Sequence, residues 1–151
     1  MIARTSLHRL GLLGVVLLLY CAKPAIAADQ LVLIASANSP VSTLDAIEIQ
    51  KLFLGLTIIA DGKALRPLRN ETDDSTRQIF YQNVISMSEP TYGRRMLALT
   101  LQQGRTAPPV YRDSKSLLNA VAADPYAISY AWAKEASRDT RIRILKILGR
   151  E

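Results

Sequence analysis

The sequence predicts a single α/β domain, and three observations point to it. Leu31 to Ala35 is an unbroken apolar run with β-branched residues, which suits a strand covered on both faces, as in parallel sheets. Apolar residues recur at helical spacing in later segments that open on capping residues or proline. Short extended stretches and turn residues lie between those segments, so strands and helices interleave along the chain. No internal repeat, low-complexity tract or interdomain linker interrupts this order.

The first segment, Met1 to Ala27, reads as a secretory leader. Arg4 and Arg9 precede the apolar run Leu10 to Ala22, and Ala25-Ile26-Ala27 has the small-x-small cleavage pattern, which places cleavage after Ala27. The run is thirteen residues long, short of the roughly 20 that span a bilayer as a helix. Cys21 follows the bulky Tyr20, which disfavours a lipoprotein signal. A soluble exported protein in the periplasm is therefore expected, with residues 28–151 as its one domain.

Leu31 to Ala35 is expected to sit centrally in the sheet. Ser42 and Thr43 are placed to cap a helix whose Ala46, Ile49, Leu52 and Phe53 share a face, with Gly55 as a left-handed stop. Asp61-Gly62 makes a turn between extended segments around Thr57 to Ile59 and Ala64 to Leu68. Phe80, Val84 and Met87 continue at helical spacing, and Glu89-Pro90 restarts a helix carrying Tyr92, Met96 and Leu99 to a stop at Gly104. Ala107-Pro108-Pro109 is too proline-rich for regular structure. Asp113-Ser114 caps a helix with Leu117, Leu118 and Val121, which Asp124-Pro125 ends. Ala127 to Trp132 and Ile142 to Leu148 read as the last two strands.

Composition excludes several chemistries. Leader removal leaves 124 residues and takes away the only cysteine and the only histidine, Cys21 and His8. Such a chain builds no Ser-His-Asp triad, no cysteine nucleophile and no His- or Cys-ligated zinc site, and no cofactor is expected. The formal charge of +6 falls to +3 without Arg4, Arg9 and Lys23, with both signs interspersed. Nucleic acid is not an expected partner, because Arg94-Arg95 and Arg138 to Arg143 read as solvated faces without interleaved stacking aromatics.

Pro67 to Phe80 carries the main functional signal. It runs from a strand end through a polar turn into a helix start, where unpaired N–H groups and the positive end of the helix dipole favour anions. Short hydroxyl and carboxyl side chains crowd it between Arg69 and Arg77.

The stretches LDAIEIQKLFLG, DGKALRPL, QQGRTAPP and DPYAISYAW, in this order, resemble the periplasmic phosphate-binding protein family, and more narrowly its short members. Leu52-Phe53-Leu54-Gly55 and Pro125-Tyr126-Ala127-Ile128-Ser129-Tyr130 carry the resemblance at its two ends. It implies an α/β, periplasmic-binding-protein-like single lobe, with a mixed sheet flanked by helices. It also implies a non-catalytic substrate-binding component of a phosphate importer, whose partners are inorganic phosphate or another oxyanion and an inner-membrane transporter or envelope protein.

Full-length members cradle phosphate with an arginine followed by Asp-Gly-Ser-Gly-Thr at a helix start. Counted back from Phe80, Arg69 falls near the arginine, Thr72 at the aspartate, Asp73 and Ser75 at the glycines, Asp74 at the serine and Thr76 at the threonine. A register shifted by one puts Asp73 at the aspartate and Ser75 and Thr76 among the hydroxyls, and both registers stay open.

The expected ligand residues are thus Arg69, Asp73, Asp74, Ser75, Thr76 and Arg77, with backbone N–H groups supplying further donors. Ser36, Asn38 and Ser39, after the first strand, resemble the family's first phosphate-binding loop and join them. Against this stands electrostatics. A carboxylate about 4 Å from a phosphate oxygen is repelled by roughly 4 kcal/mol per charge pair at a dielectric near 20, and a helix start returns only about 0.3–1. Arg69 and Arg77 are placed to neutralise the acids, and one carboxylate can accept the proton of monohydrogen phosphate. Otherwise Asp73, Asp74 or Ser75 simply caps the helix. Glu71, Asp73 and Asp74 as a hydrolytic carboxylate pair is disfavoured, since adjacent acids at a helix start are usually caps. Tyr126, Tyr130 and Trp132 alternate as core or sheet cover. Two readings result: reversible oxyanion binding, or an interaction or sensory module that kept the fold and lost the ligand.

Overall fold

The computed structural model describes Ile26, Ala27 and residues 29–150; the leader's residues 1–25, with His8, Cys21 and Lys23, lie outside the described residues. The elements in order are β1 (Gln30–Ser36), α1 (Ala46–Phe53), β2 (Ile59–Ala60), β3 (Lys63–Ala64), β4 (Arg66–Pro67), β5 (Arg69–Asn70) and α2 (Asp74–Ile79). A π-helical segment (Phe80–Ile85) continues α2, followed by α3 (Glu89–Gln103), β6 (Val110–Tyr111), α4 (Ser114–Ala123), β7 (Ala127–Trp132), α5 (Ala133–Ala136) and β8 (Ile142–Arg150).

The apolar run forms β1, buried along its whole length and central in a four-stranded sheet of order β4-β7-β1-β8. Its two faces feed two cores. Leu31, Leu33 and Ala35 pack with α1, the π-helical segment and α3, whereas Val32 and Ile34 pack with α4 and α5. One expectation is corrected here: β1 is covered on both faces but runs antiparallel to both β7 and β8. Helices on both sides of the sheet produce that burial whatever the strand direction. Only β4 and β7 pair in parallel in this sheet, which makes it mixed.

Local signals set most boundaries. Asp45, not Ser42 or Thr43, caps α1, because Glu48 three residues on completes a reciprocal capping box with it. Asp61 and Gly62 both take positive φ, the geometry of the two-residue turn joining β2 to β3. The predicted helix from Phe80 winds instead as a π-helix, in which consecutive Phe80 and Tyr81 are both buried, and Ser86 ends it in the left-handed region. β8 runs to Arg150, two residues beyond the expected end, and register shifts at Leu145 and Leu148 turn both leucines onto the first core. Near that end Gly149 lies so close to the π-helical segment that a Cβ would stand 2.5 Å from Asn83 Nδ2.

Aromatic rings fill the first core above the sheet. Phe80 stacks on Tyr130 with centroids 4.7 Å apart and meets Phe53 and Tyr92 edge-on at 5.3 and 6.0 Å.

Candidate anion-binding site

The segment Pro67 to Phe80 has the predicted form, a strand end leading through a turn into a helix. β4 lies parallel to β7, and from Leu68 the chain turns to pair β5 with β6. Buried Asn70 fixes the turn that follows, donating to the Tyr130 carbonyl at 2.8 Å and accepting from the Thr72 N–H at 3.0 Å. Asp73 then caps α2 in extended conformation.

The Asp73 carboxylate is the centre of the turn. Its Oδ1 accepts from the Thr76 N–H at 2.7 Å, and its Oδ2 accepts from Thr76 Oγ1 at 2.9 Å, Thr72 Oγ1 at 3.3 Å and Trp132 Nε1 at 2.9 Å. Asp73, rather than Asp74 or Ser75, is the cap, and its own negative charge stands at the helix start. Partial burial pushes the carboxyl pKa up, but the hydrogen bonds from Thr76, Trp132 and Thr72 outweigh it and leave the group below its ordinary 3.8.

That lowered pKa has a stability consequence. The Asp73 carboxylate contributes stability above its unfolded value of about 3.8, and the contribution is lost as pH falls through the folded pKa. Asp73→Ala should lower the thermal midpoint at pH 7 by about 4–8 °C, the equivalent of about 1–2 kcal/mol for a lost cap in a domain of this size. The gap between variant and wild type should narrow below about pH 4 when followed by circular dichroism. A gap that stays constant down to pH 3 would show that the carboxylate charge is not what holds the turn.

Arg69 points into the first core. Its side chain is only 12% exposed and its guanidinium pairs with Glu71, donates to Tyr81 Oη at 2.7 Å and lies 4.9 Å from the Tyr92 ring centroid. Its Nε has no hydrogen-bond partner among the described residues. Burial raises the pKa of Tyr81, and that of Tyr92 to about 12, against the opposing field of Arg69, so both hydroxyls stay protonated at neutral pH. Glu71 is 13% exposed and reaches Arg112 at 3.5 Å with its other oxygen. Arg77 pairs with exposed Asp74 at 2.8 Å and approaches Glu89 at 3.7 Å. Thr76 is buried, and Ser75 is half-buried in the first turn of α2.

Arg69 and residues 73–77 therefore share one turn, but Ser36, Asn38 and Ser39 do not join it. Trp132, bonded to Asp73, is paired with Leu31 at the amino end of β1, whereas Ser36 ends that strand about 17 Å away at 3.3 Å per residue. The physical reason is strand direction. The rule that ligands gather at strand carboxyl ends applies here to the parallel pair β4 and β7, whose carboxyl ends lead to Asp73 and Trp132. Beyond β1 the chain knits its own loop: Ser36 Oγ accepts from the Asn38 N–H, Ser39 Oγ from the Val41 N–H, and Arg143 donates to the Ser39 carbonyl.

Four participants escaped the sequence reading. Trp132, expected as core or sheet cover, packs on the core and in addition holds Asp73. Glu71 as the partner of Arg69 has a readable signal, since residues two apart on a strand share a face. Tyr81 and Tyr92 depend on the path of the helices around Arg69.

By sequence, no family model and no curated protein matches the chain. By structure it is similar to a phosphate ABC transporter substrate-binding protein with bound phosphate from Clostridium perfringens, at a TM-score of 0.59 and 19% identity over 82% of this chain and 46% of that one. It is likewise similar to PstS from Borrelia burgdorferi, at 0.59 and 12% identity over 78% of this chain and 47% of that one. An ABC-type phosphate transport receptor from Vibrio cholerae matches at 0.56 and 12% identity over 78% of this chain and 45% of that one. What is shared at these identities is the fold, a mixed α/β lobe of the periplasmic-binding-protein type. The chain spans less than half the length of each of these proteins.

Proposed function

We propose that this chain is a non-catalytic, exported, solute-binding-like module, residues 28–151 after removal of a leader, whose turn at 69–77 is closed by its own carboxylates. It acts through contact with an envelope protein or inner-membrane transporter and does not retain free phosphate in that turn at neutral pH. One observation carries this reading: the acids of the turn satisfy its cations and its helix start. Glu71 takes Arg69, Asp74 takes Arg77, and Asp73 takes the start of α2. A phosphate entering unpaired beside Asp73 meets roughly 4 kcal/mol of repulsion at 4 Å, more than the helix start returns.

The competing reading is reversible binding of phosphate or a related oxyanion by Arg69, Ser75, Thr76, Arg77 and backbone N–H groups. The likeness to phosphate-binding structures and the unpartnered Arg69 Nε favour it. Thermal unfolding in phosphate, sulfate and chloride of equal ionic strength separates the two. A ligand at about 100 times its dissociation constant adds roughly 2.7 kcal/mol, which raises the midpoint by several degrees. The closed turn predicts a midpoint flat within about 1 °C up to roughly 10 mM phosphate at pH 7. A rise of several degrees with phosphate, absent from chloride, would overturn the closed turn and establish the oxyanion reading.

A further inference from the structure

A second concave surface lies away from the turn. The carboxyl end of α1, strands β3 and β4 and the segment 105–109 surround a cavity of about 480 Å³. Its apolar lining includes buried Leu52, Leu65, Leu68 and Pro108, and Leu56, 43% exposed, also lines it. An exposed leucine beside buried ones presents apolar surface continuous with the core, which an apolar occupant would remove from water.

The charge of the lining is one-sided. Among the described residues its only ionisable side chains are Arg66 and Arg105, and no carboxylate is among them. Arg66 shares its charge with Asp124 at 3.0 Å, outside the lining. Arg105 is exposed, donates to the Gly55 carbonyl, and makes no ion pair among the described residues. That bond bridges the segment 105–109 and the end of α1 with one of the five donors of a guanidinium. The hydroxyls of Thr57 and Thr106 add neutral polar groups to the lining.

We propose that this groove binds a small organic anion, a carboxylate carrying an alkyl or aryl body, with the body against Leu56 and the proline wall and the carboxylate on Arg105. The volume falls within the roughly 300–1,000 Å³ of small-molecule sites. An unpaired guanidinium is the side chain best matched to a carboxylate, through parallel N–H donors. Inorganic phosphate fits poorly, because it gains only the weak attraction of a solvated arginine and covers no apolar surface. A neutral alcohol covers the surface and leaves the charge unanswered. The proposal goes beyond the closed-turn reading and does not depend on it, since none of residues 69–77 lines the groove.

The test is a titration of the ¹⁵N-labelled protein with octanoate, octanol and inorganic phosphate, with affinities from calorimetry. Octanoate should produce saturable amide shifts centred on residues 52–57, 64–68 and 105–109 and bind about tenfold more tightly than octanol, the discrimination expected of one charge-assisted contact. Phosphate should move none of these signals. Arg105→Ala should abolish the roughly tenfold preference for octanoate over octanol, whereas Leu56→Asp should weaken both. The proposal is overturned if octanoate gives no saturable shift up to roughly 10 mM, if its shifts lie elsewhere, or if Arg105→Ala binds it as wild type does. Octanoate shifts read the groove and the phosphate midpoint reads the turn, so failure of one leaves the other standing.

Discussion

Glu71→Gln is expected to lower the thermal midpoint by about 10 °C and, at the same time, to make it rise with phosphate. Arg69 and Glu71 are 12% and 13% exposed, so removing the carboxylate leaves a largely buried guanidinium without its counter-ion. Breaking a buried pair by removing one partner costs about 3–5 kcal/mol, and glutamine, which keeps one acceptor oxygen, brings the loss to the lower end. The missing charge then becomes an opening for an anion. Phosphate at about 100 times its dissociation constant would return roughly 2.7 kcal/mol, most of the loss, while chloride at equal ionic strength would not. Differential scanning calorimetry of wild type and variant across a phosphate series reads both effects. A variant that is destabilised but indifferent to phosphate would mean that Arg69 is sealed from solvent, and the turn would then have no anion-binding capacity to lose.

Phe80→Ala should have the largest effect on stability. The ring is 1% exposed, stacked on Tyr130 and met edge-on by Phe53, Tyr81 and Tyr92. Truncating a buried phenylalanine costs about 3–5 kcal/mol, and the lost ring pairs add to it. Against a total stability on the order of 5–15 kcal/mol, the midpoint should fall by about 15 °C, with Phe80→Leu in between. Arg69 lies 5.9 Å from the same ring, so the loss should also loosen the Arg69–Glu71 pair. A midpoint within about 3 °C of wild type in Phe80→Ala would show that the core refills the space, contrary to the packing described here.

How legible these features were depends on the range of the interactions that make them. β7 and the helix ends at Gly55, Gly104 and Asp124 follow from residues close in sequence, and each was readable. The cap of α1 was expected two to three residues early, at Ser42 or Thr43, although the signal for Asp45 is local: it has Glu48 at the capping-box position. The direction of β1 was not readable, since burial on both faces is the same for parallel and antiparallel neighbours. Nor was the π-helical winding, whose apolar spacing passes for an α-helix. In the turn, the acids were visible and the electrostatic conflict with phosphate followed from them. The resolution was hidden, because it needs Trp132, 59 residues beyond Asp73, and the aromatic rings around Arg69.

Trp132 is the only tryptophan of the chain, and its indole N–H is bound to the carboxylate that closes the turn. The protein therefore carries an intrinsic optical reporter at the place where its chemistry is in question. Indole emission responds to a nearby carboxylate, so protonation of Asp73, its substitution, or its displacement by an anion should each appear in the fluorescence without any label. The groove, lined by Leu52 and by residues 55–57, 64–68 and 105–109, has no tryptophan. Light from Trp132 thus tells a visitor to the turn from a visitor to the groove.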